Sequence, residues 1–176
     1  IGLGIPAEPL FRSSYLSTTV GTWAQSVSYI DADGQSQSCT SYTVISGSQT
    51  SYSAEGWYVE QGNVSLSQLE FTSSDAVHLI LCDGASLTLS NYIDPNGSLI
   101  IYGQSGGTGT LRIGTEASPS TYTYGAIYMY EGNLTINGGT IYAYGNNYAI
   151  HCYSGSVTIN GGTLTANGPD AIQIDS

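Results

Sequence analysis

Apolar and polar residues alternate along this chain in short runs separated by glycine. Residues 132–144 read GNLTINGGTIYAY, and residues 155–167 read GSVTINGGTLTAN, 23 positions later. Weaker copies precede them: GNVSL from Gly62, GASLTL from Gly84 and GTLRI from Gly109, so that the five starts lie 22, 25, 23 and 23 residues apart. Each glycine is followed by an apolar pair two positions apart: Val64 and Leu66, Leu87 and Leu89, Leu111 and Ile113, Leu134 and Ile136, Val157 and Ile159. Alternation with period two marks a strand with one buried face. Self-similarity at this spacing marks stacked supersecondary units. The pattern therefore predicts an all-β parallel β-helix in which those five pairs lie one above another.

Two further alternating runs complete the later coils. Ile127-Tyr-Met129, Ile150-His-Cys152 and Ile172-Gln-Ile174 form one set, and Ile141-Tyr-Ala143 and Leu164-Thr-Ala166 another. Three short strands per coil give about five coils over residues 62–176. Asn137-Gly138-Gly139 and Asn160-Gly161-Gly162 fall at equivalent corners, where Asn and Gly tolerate positive φ and stacked amides can bond along the axis.

The N-terminal third departs from the repeat. Trp23, Val27, Tyr29 and Ile30 precede the turn dipeptide Asp33-Gly34, and Tyr42, Val44 and Ile45 follow it, which predicts a β-hairpin. An open first coil exposes backbone and core. The expected division is therefore an N-terminal extension and β-hairpin cap over 1–54 and the β-helix over 55–176. AIQIDS stops in mid-coil, so a longer natural protein is expected, and a neighbouring domain, dimerisation or no cover at all are the alternatives for its open last coil.

Composition narrows the function. Arg12 and Arg112 are the only basic residues apart from two histidines, against 13 acidic ones, for a net charge of −11. Nucleic acid and anionic membrane surfaces both require clustered cations, so neither is an expected partner. No apolar run reaches the 18 residues of a membrane span. Cys39, Cys82 and Cys152 have no metal-ligand spacing; Cys82 and Cys152 read as small buried hydrophobes, and a Cys39–Cys82 bridge is left open.

The outward positions carry the candidate chemistry. With Ile127, Ile150 and Ile172 turned inward, Tyr128, His151 and Gln173 form one outward column, and Tyr130, Tyr153 and Asp175 the next. A row of exposed aromatic rings suits a sugar, whose C–H faces pack on the rings while hydroxyls meet polar neighbours. Tyr142 and Tyr144 form a smaller patch on another face. The candidate ligand-binding residues are thus Tyr128, Tyr130, His151, Tyr153, Tyr142 and Tyr144. Threonine rows of the kind that bind ice are interrupted by Tyr128, Tyr142 and Tyr144. No motif demands a cofactor or metal. Calcium is the one candidate ion, with weak donors at Asp31 and Asp33 in a D-x-D-G turn that lacks the remaining ligands of a calcium loop. The coil carboxylates, Glu70 and Asp94 among them, share no outward column in adjacent coils on this alignment.

The string from YIDADG through GWYV, VHLILCDGASLTL and SLIIYGQSGGTGTL resembles a β-helix module of surface and secreted proteins of gut Firmicutes, of the kind described as carbohydrate-binding domain-containing or hypothetical proteins. The likeness runs from about Tyr29 to Ile174. It is more distantly similar to clostridial β-helix proteins that bind acidic plant polysaccharides with calcium. The resemblance implies a right-handed parallel β-helix, an extracellular or cell-surface location, and an adhesive role toward polysaccharide or glycoprotein glycans. It brings no defined catalytic residues. β-Helix lyases use a cationic base beside calcium-binding carboxylates, and Arg112 is the single basic residue of the coils besides histidine. The sequence thus points to a non-catalytic glycan-binding or adhesion module. A structural spacer is the alternative, and a polysaccharide lyase or hydrolase the minor one.

Overall fold

The computed structural model describes residues 25–175. Trp23 and Arg12, which figured in the reading above, lie outside them. Every described element is a strand. A hairpin comes first, with β1 (Val27–Ile30) antiparallel to β2 (Ser36–Cys39). A partial coil follows, β3 (Thr43–Val44) and β4 (Ser51–Tyr52). Five full coils come next. Coil one is β5 (Gly56–Glu60) and β6 (Asn63–Phe71), and coil two is β7 (Val77–Leu81) and β8 (Ser86–Pro95). Coil three is β9 (Leu99–Gly103), β10 (Thr110–Ile113) and β11 (Ile127–Met129). Coil four is β12 (Leu134–Ile136), β13 (Thr140–Tyr144) and β14 (Tyr148–Cys152), and coil five β15 (Val157–Ile159), β16 (Thr163–Asn167) and β17 (Asp170–Ile174).

All coil-to-coil pairing is parallel, so the fold is a parallel β-helix with three faces. The first face stacks β3, β5, β7, β9, β12 and β15. The second stacks the leading halves of β6 and β8 with β10, β13 and β16, and the third stacks β4 and the trailing halves of β6 and β8 with β11, β14 and β17. β6 and β8 each pass from the second face to the third as one strand, with a register shift between Leu66 and Gln68 marking the bend. One apolar core fills the interior, with Leu79, Leu87, Ile93, Ile101, Leu134 and Ile150 all fully buried.

The single column predicted from the repeat divides in two. Val64, Leu87 and Leu111 stack with Ile141 and Leu164 on the second face, whereas Leu134 and Val157 stack with Leu99 on the first. Alternation looks the same on all three faces, so period alone cannot assign a run to its face. Residues 114–126, between β10 and β11, leave the coil as an insertion and displace the count by the time Gly132 is reached.

The hairpin differs from expectation as well. Its turn sits at Asp31–Gln35 as predicted, but the return strand is Ser36–Cys39, and Thr43–Val44 instead pairs in parallel with Tyr58–Val59. Ile45 and Tyr52 enter the helix core. The hairpin packs against the outside of the first face, where Val27, Cys39, Val59, Ile80 and Tyr102 form a second cluster beneath a stack of Tyr29, Trp57 and His78.

Corners absorb the motifs that stood out in the sequence. Asp83 accepts hydrogen bonds from the Gly106 amide at 2.8 Å and from the Thr108 amide at 3.1 Å. Desolvation pushes its carboxyl up, but the bonds from Thr108 and Gly106 outweigh that and hold it below the ordinary aspartate value. Gln104 accepts from the Asp83 amide and donates to the Ser28 carbonyl, joining this corner to the hairpin. The Asn160 amide donates to Asn137 Oδ1 at 2.8 Å, the axial ladder expected there. Gly139 and Gly162 both hold φ near +81°, and a side chain on Gly139 would strike Leu81.

Glu60 breaks the apolar rule. It pairs in register with Leu81 on the inward side, is fully buried, and neither carboxylate oxygen has a hydrogen-bond partner among the described residues. Burial raises its pKa from 4.5 to about 7. A carboxyl raised in the folded state contributes no penalty below its unfolded value, a growing one between the unfolded and folded values, and a constant one above. Glu60→Gln should therefore gain on the wild type between pH 4.5 and about 7, by about 3 kcal/mol at most. Chemical denaturation across that range checks this; a pH-independent difference between the two proteins would contradict it.

Candidate functional site

The third face carries the candidate site. Glu70 pairs with Asp94 in register, Ile93 pairs with Ile127, Tyr128 with His151, and His151 with Gln173. One outward column thus runs Glu70, Asp94, Tyr128, His151, Gln173 through all five coils. Two positions on, Thr72, Asn96, Tyr130, Tyr153 and Asp175 continue the alternation as a second column. The Tyr128–His151–Gln173 register is as predicted. The column's N-terminal extension corrects the earlier reading of the carboxylates, because Glu70 and Asp94 do lie side by side in adjacent coils. β6 and β8 run on past the second face, and that continuation brings the pair together.

The insertion builds the middle of the face. It is pinned at Ser120, which is fully buried and bridges to Gly145, with its amide donating to the Tyr144 carbonyl at 2.8 Å. From that anchor Tyr122 stacks on Tyr92, with centroids 3.9 Å apart, and Tyr124 stacks on Tyr128 at 4.9 Å. Tyr130 and Tyr153 stack at 5.4 Å with their planes within 11°. The predicted exposed row is therefore divided by depth. Tyr128 and His151 are 8% and 7% exposed, whereas Tyr124, Tyr130 and Tyr153 are 49%, 49% and 52% exposed. Tyr124 covers Tyr128, and Tyr128 and His151 form the floor on which the exposed rings stand.

Polar partners hold that floor. His151 lies 3.0 Å from Asp175 Oδ2 through Nε2 and 3.2 Å from the Tyr124 carbonyl through Nδ1. Both neighbours are acceptors, so a neutral ring donates to one of them and an imidazolium to both. The hydrogen bond from Gln173, and then that from His151, hold the Asp175 carboxyl below its ordinary value.

At the other end Glu70, Phe71, Thr72, Asp94 and Asn96 line a cleft of about 330 Å³. The Tyr92 hydroxyl and the Gln68 amide both donate to Glu70 Oε1, and the Tyr122 hydroxyl donates to Asp94 Oδ2 at 3.2 Å. Burial raises the Asp94 pKa, the bond from Tyr122 lowers it, and the neighbouring Glu70 charge raises it again, for a net rise. Burial, together with hydrogen bonding to Glu70, pushes the Tyr92 phenol up to about 12. The face thus offers flat ring surfaces beside carboxylate, amide and hydroxyl groups, the combination that suits a polyhydroxylated ligand.

The chain matches no protein-family model, no curated protein and no solved structure.

Other predicted residues lie elsewhere. Tyr142 and Tyr144 stand on the second face, where Arg112 sits 4.0 Å above the Tyr142 ring. Asp31 belongs to the hairpin turn: its Oδ1 accepts from the Asp33 and Gln35 amides and its Oδ2 from Gln37. Asp33 is exposed in the same turn. No group of three or more acidic, histidine or cysteine side chains among the described residues converges as a metal site. His78 stacks on Trp57 at 4.4 Å, bonds to the Tyr102 hydroxyl, and has its pKa lowered by burial. The three cysteines are free thiols, and burial raises Cys82 and Cys152 to about 11.

Sequence reasoning missed Tyr92, Tyr122 and Tyr124 and the pairing of Glu70 with Asp94. One signal was present. Leu111 and its true partner Ile141 are 30 residues apart, longer than the other steps, and the excess contains two of the missed tyrosines.

Tyr122→Phe removes the hydrogen bond that stabilises ionised Asp94 and should raise that group's pKa further. Carboxyl-carbon NMR titration reads this directly; an unchanged or lower value would contradict the geometry.

Proposed function

We propose that this chain is a non-catalytic, extracellular glycan-binding or adhesion module of a bacterial secreted or surface protein. The observation that carries the reading is the exposed pair Tyr130 and Tyr153, stacked nearly parallel and flanked by Tyr124, on a face stiffened by five coils. Half-exposed tyrosines stacked on one another immediately after β11 and β14 form a preorganised platform, so a sugar chain would not have to order the surface it binds. The surrounding acceptors supply partners for hydroxyl groups, and the dearth of cations argues against nucleic acid as the ligand. A structural spacer is the second reading. It is favoured by the use of Asp83, Gln104 and Thr108 as corner ties.

The two readings separate on one variant set. Replacing Tyr124, Tyr130 and Tyr153 together by Ala removes exposed rings and leaves the core untouched, so thermal melting should change little. On an array of neutral and amino-substituted polysaccharides, bound glycan should fall at least about tenfold. Wild-type protein that is folded and binds no glycan would contradict the proposal and favour the spacer.

A further inference from the structure

The charge distribution of the third face restricts which glycan it can take. Arg112 is the single Lys or Arg among the described residues, and it lies on the second face over Tyr142. The third face instead carries Glu70 and Asp94 at the cleft and Asp175 beside His151. A uronate or sialylated chain laid there would set carboxylate against carboxylate with no Lys or Arg among the described residues of that face to compensate, at separations well inside a Debye length of about 8 Å. No cluster of donors among the described residues offers a divalent ion as intermediary.

The cleft and the ring platform share the same two columns. Ile93 pairs with Ile127, so Asp94 immediately precedes Tyr128 in its column, with a coil spacing of about 4.8 Å. A glycan lying along the stacking direction would pass from the cleft to the exposed rings without turning. Tyr92 and Tyr122 stack at 3.9 Å beside the cleft, and their hydroxyls hold Glu70 and Asp94 in place. Each phenol bond is made to one oxygen of its carboxylate, and among the described residues the second oxygen has no side-chain hydrogen-bond partner. Those oxygens, with the exposed Asn96 amide, are the acceptors open to an incoming donor.

We propose that the ligand of this face is a basic amino-sugar glycan, with an ammonium group in the Glu70–Asp94 cleft and the following sugar rings on Tyr130 and Tyr153. The argument rests on the glycan-binding reading above and adds the ligand's charge. An ammonium presents several N–H donors to paired carboxylates, giving charge-assisted bonds that a hydroxyl cannot match. The acetylated form of the same sugar keeps the ring faces and loses the charge, so ring stacking and charge recognition can be measured apart.

Three oligosaccharides of equal length test this by calorimetry at mildly acidic pH and low salt: a glucosamine oligomer, its N-acetylated counterpart and an oligogalacturonide. The glucosamine oligomer should bind about tenfold more tightly than the acetylated one, and added salt should erode that margin. The oligogalacturonide should bind least, with or without calcium. Combining Glu70→Gln with Asp94→Asn should abolish the margin and leave binding of the acetylated oligomer in place. The wild-type comparison needs no variant, so a poorly folded double variant would not weaken the test. Equal affinity for the acetylated and free amines, or preferred binding of the uronate, would overturn the charge assignment while leaving the platform standing. Failure of all three to bind folded protein would overturn both.

Discussion

In a parallel stack, the backbone amides of one coil are satisfied by the coils above and below it, so a strand cannot gain or lose a residue on a face without breaking a ladder. Extra residues must leave at a corner. That constraint explains the largest irregularity of this chain. Residues 114–126 emerge between β10 and β11, are tied back at Ser120, and deliver Tyr122 and Tyr124 onto the third face. It also explains the outward columns. Once Ile127 and Ile150 are fixed inward by the core, with Ile172 in register beside Ile150, Tyr128, His151 and Gln173 have one place to go.

The core tolerates little that departs from it. Glu60 is the exception, an unpartnered carboxyl turned inward beside Leu81. Its neutral form is the better suited to that setting, so the first coil carries an acid-dependent element of stability. Asp83 works in the opposite direction. Its carboxyl is held below the ordinary value by the amides of the next corner, so its contribution is present above pH 3.8 and fades as acid protonates it. The two groups act with opposite sign in successive windows, Glu60 between pH 4.5 and about 7 and Asp83 below pH 3.8.

The sequence made some of this legible for identifiable reasons. The Asn137–Asn160 ladder and the glycine corners were readable because a corner needs particular residue types. The closing strands were readable because Ile127, Ile150 and Ile172 keep a nearly constant spacing. Other features were out of reach. Alternation cannot distinguish three faces that share one period, so Leu134 was placed above Leu111 when it belongs above Leu99. The pairing of Glu70 with Asp94 depends on β6 and β8 bending from one face to the next, a feature set by packing. Exposure was also hidden, since only the fold of the insertion shows that Tyr124 covers Tyr128. The site is consequently best described as two columns and an inserted loop, with the repeat supplying the first and its interruption the second.

The account's central claim is that one continuous face, from the Glu70–Asp94 cleft to the Tyr130–Tyr153 pair, receives a ligand along the stacking direction. Amide NMR of the labelled protein, titrated with a glucosamine oligomer, tests this most directly. The account predicts shifts that run along the two columns through residues 70–72, 94–96, 124–130 and 151–153, with the second face silent. Shifts centred on Tyr142 and Tyr144, or confined to the hairpin, would contradict it.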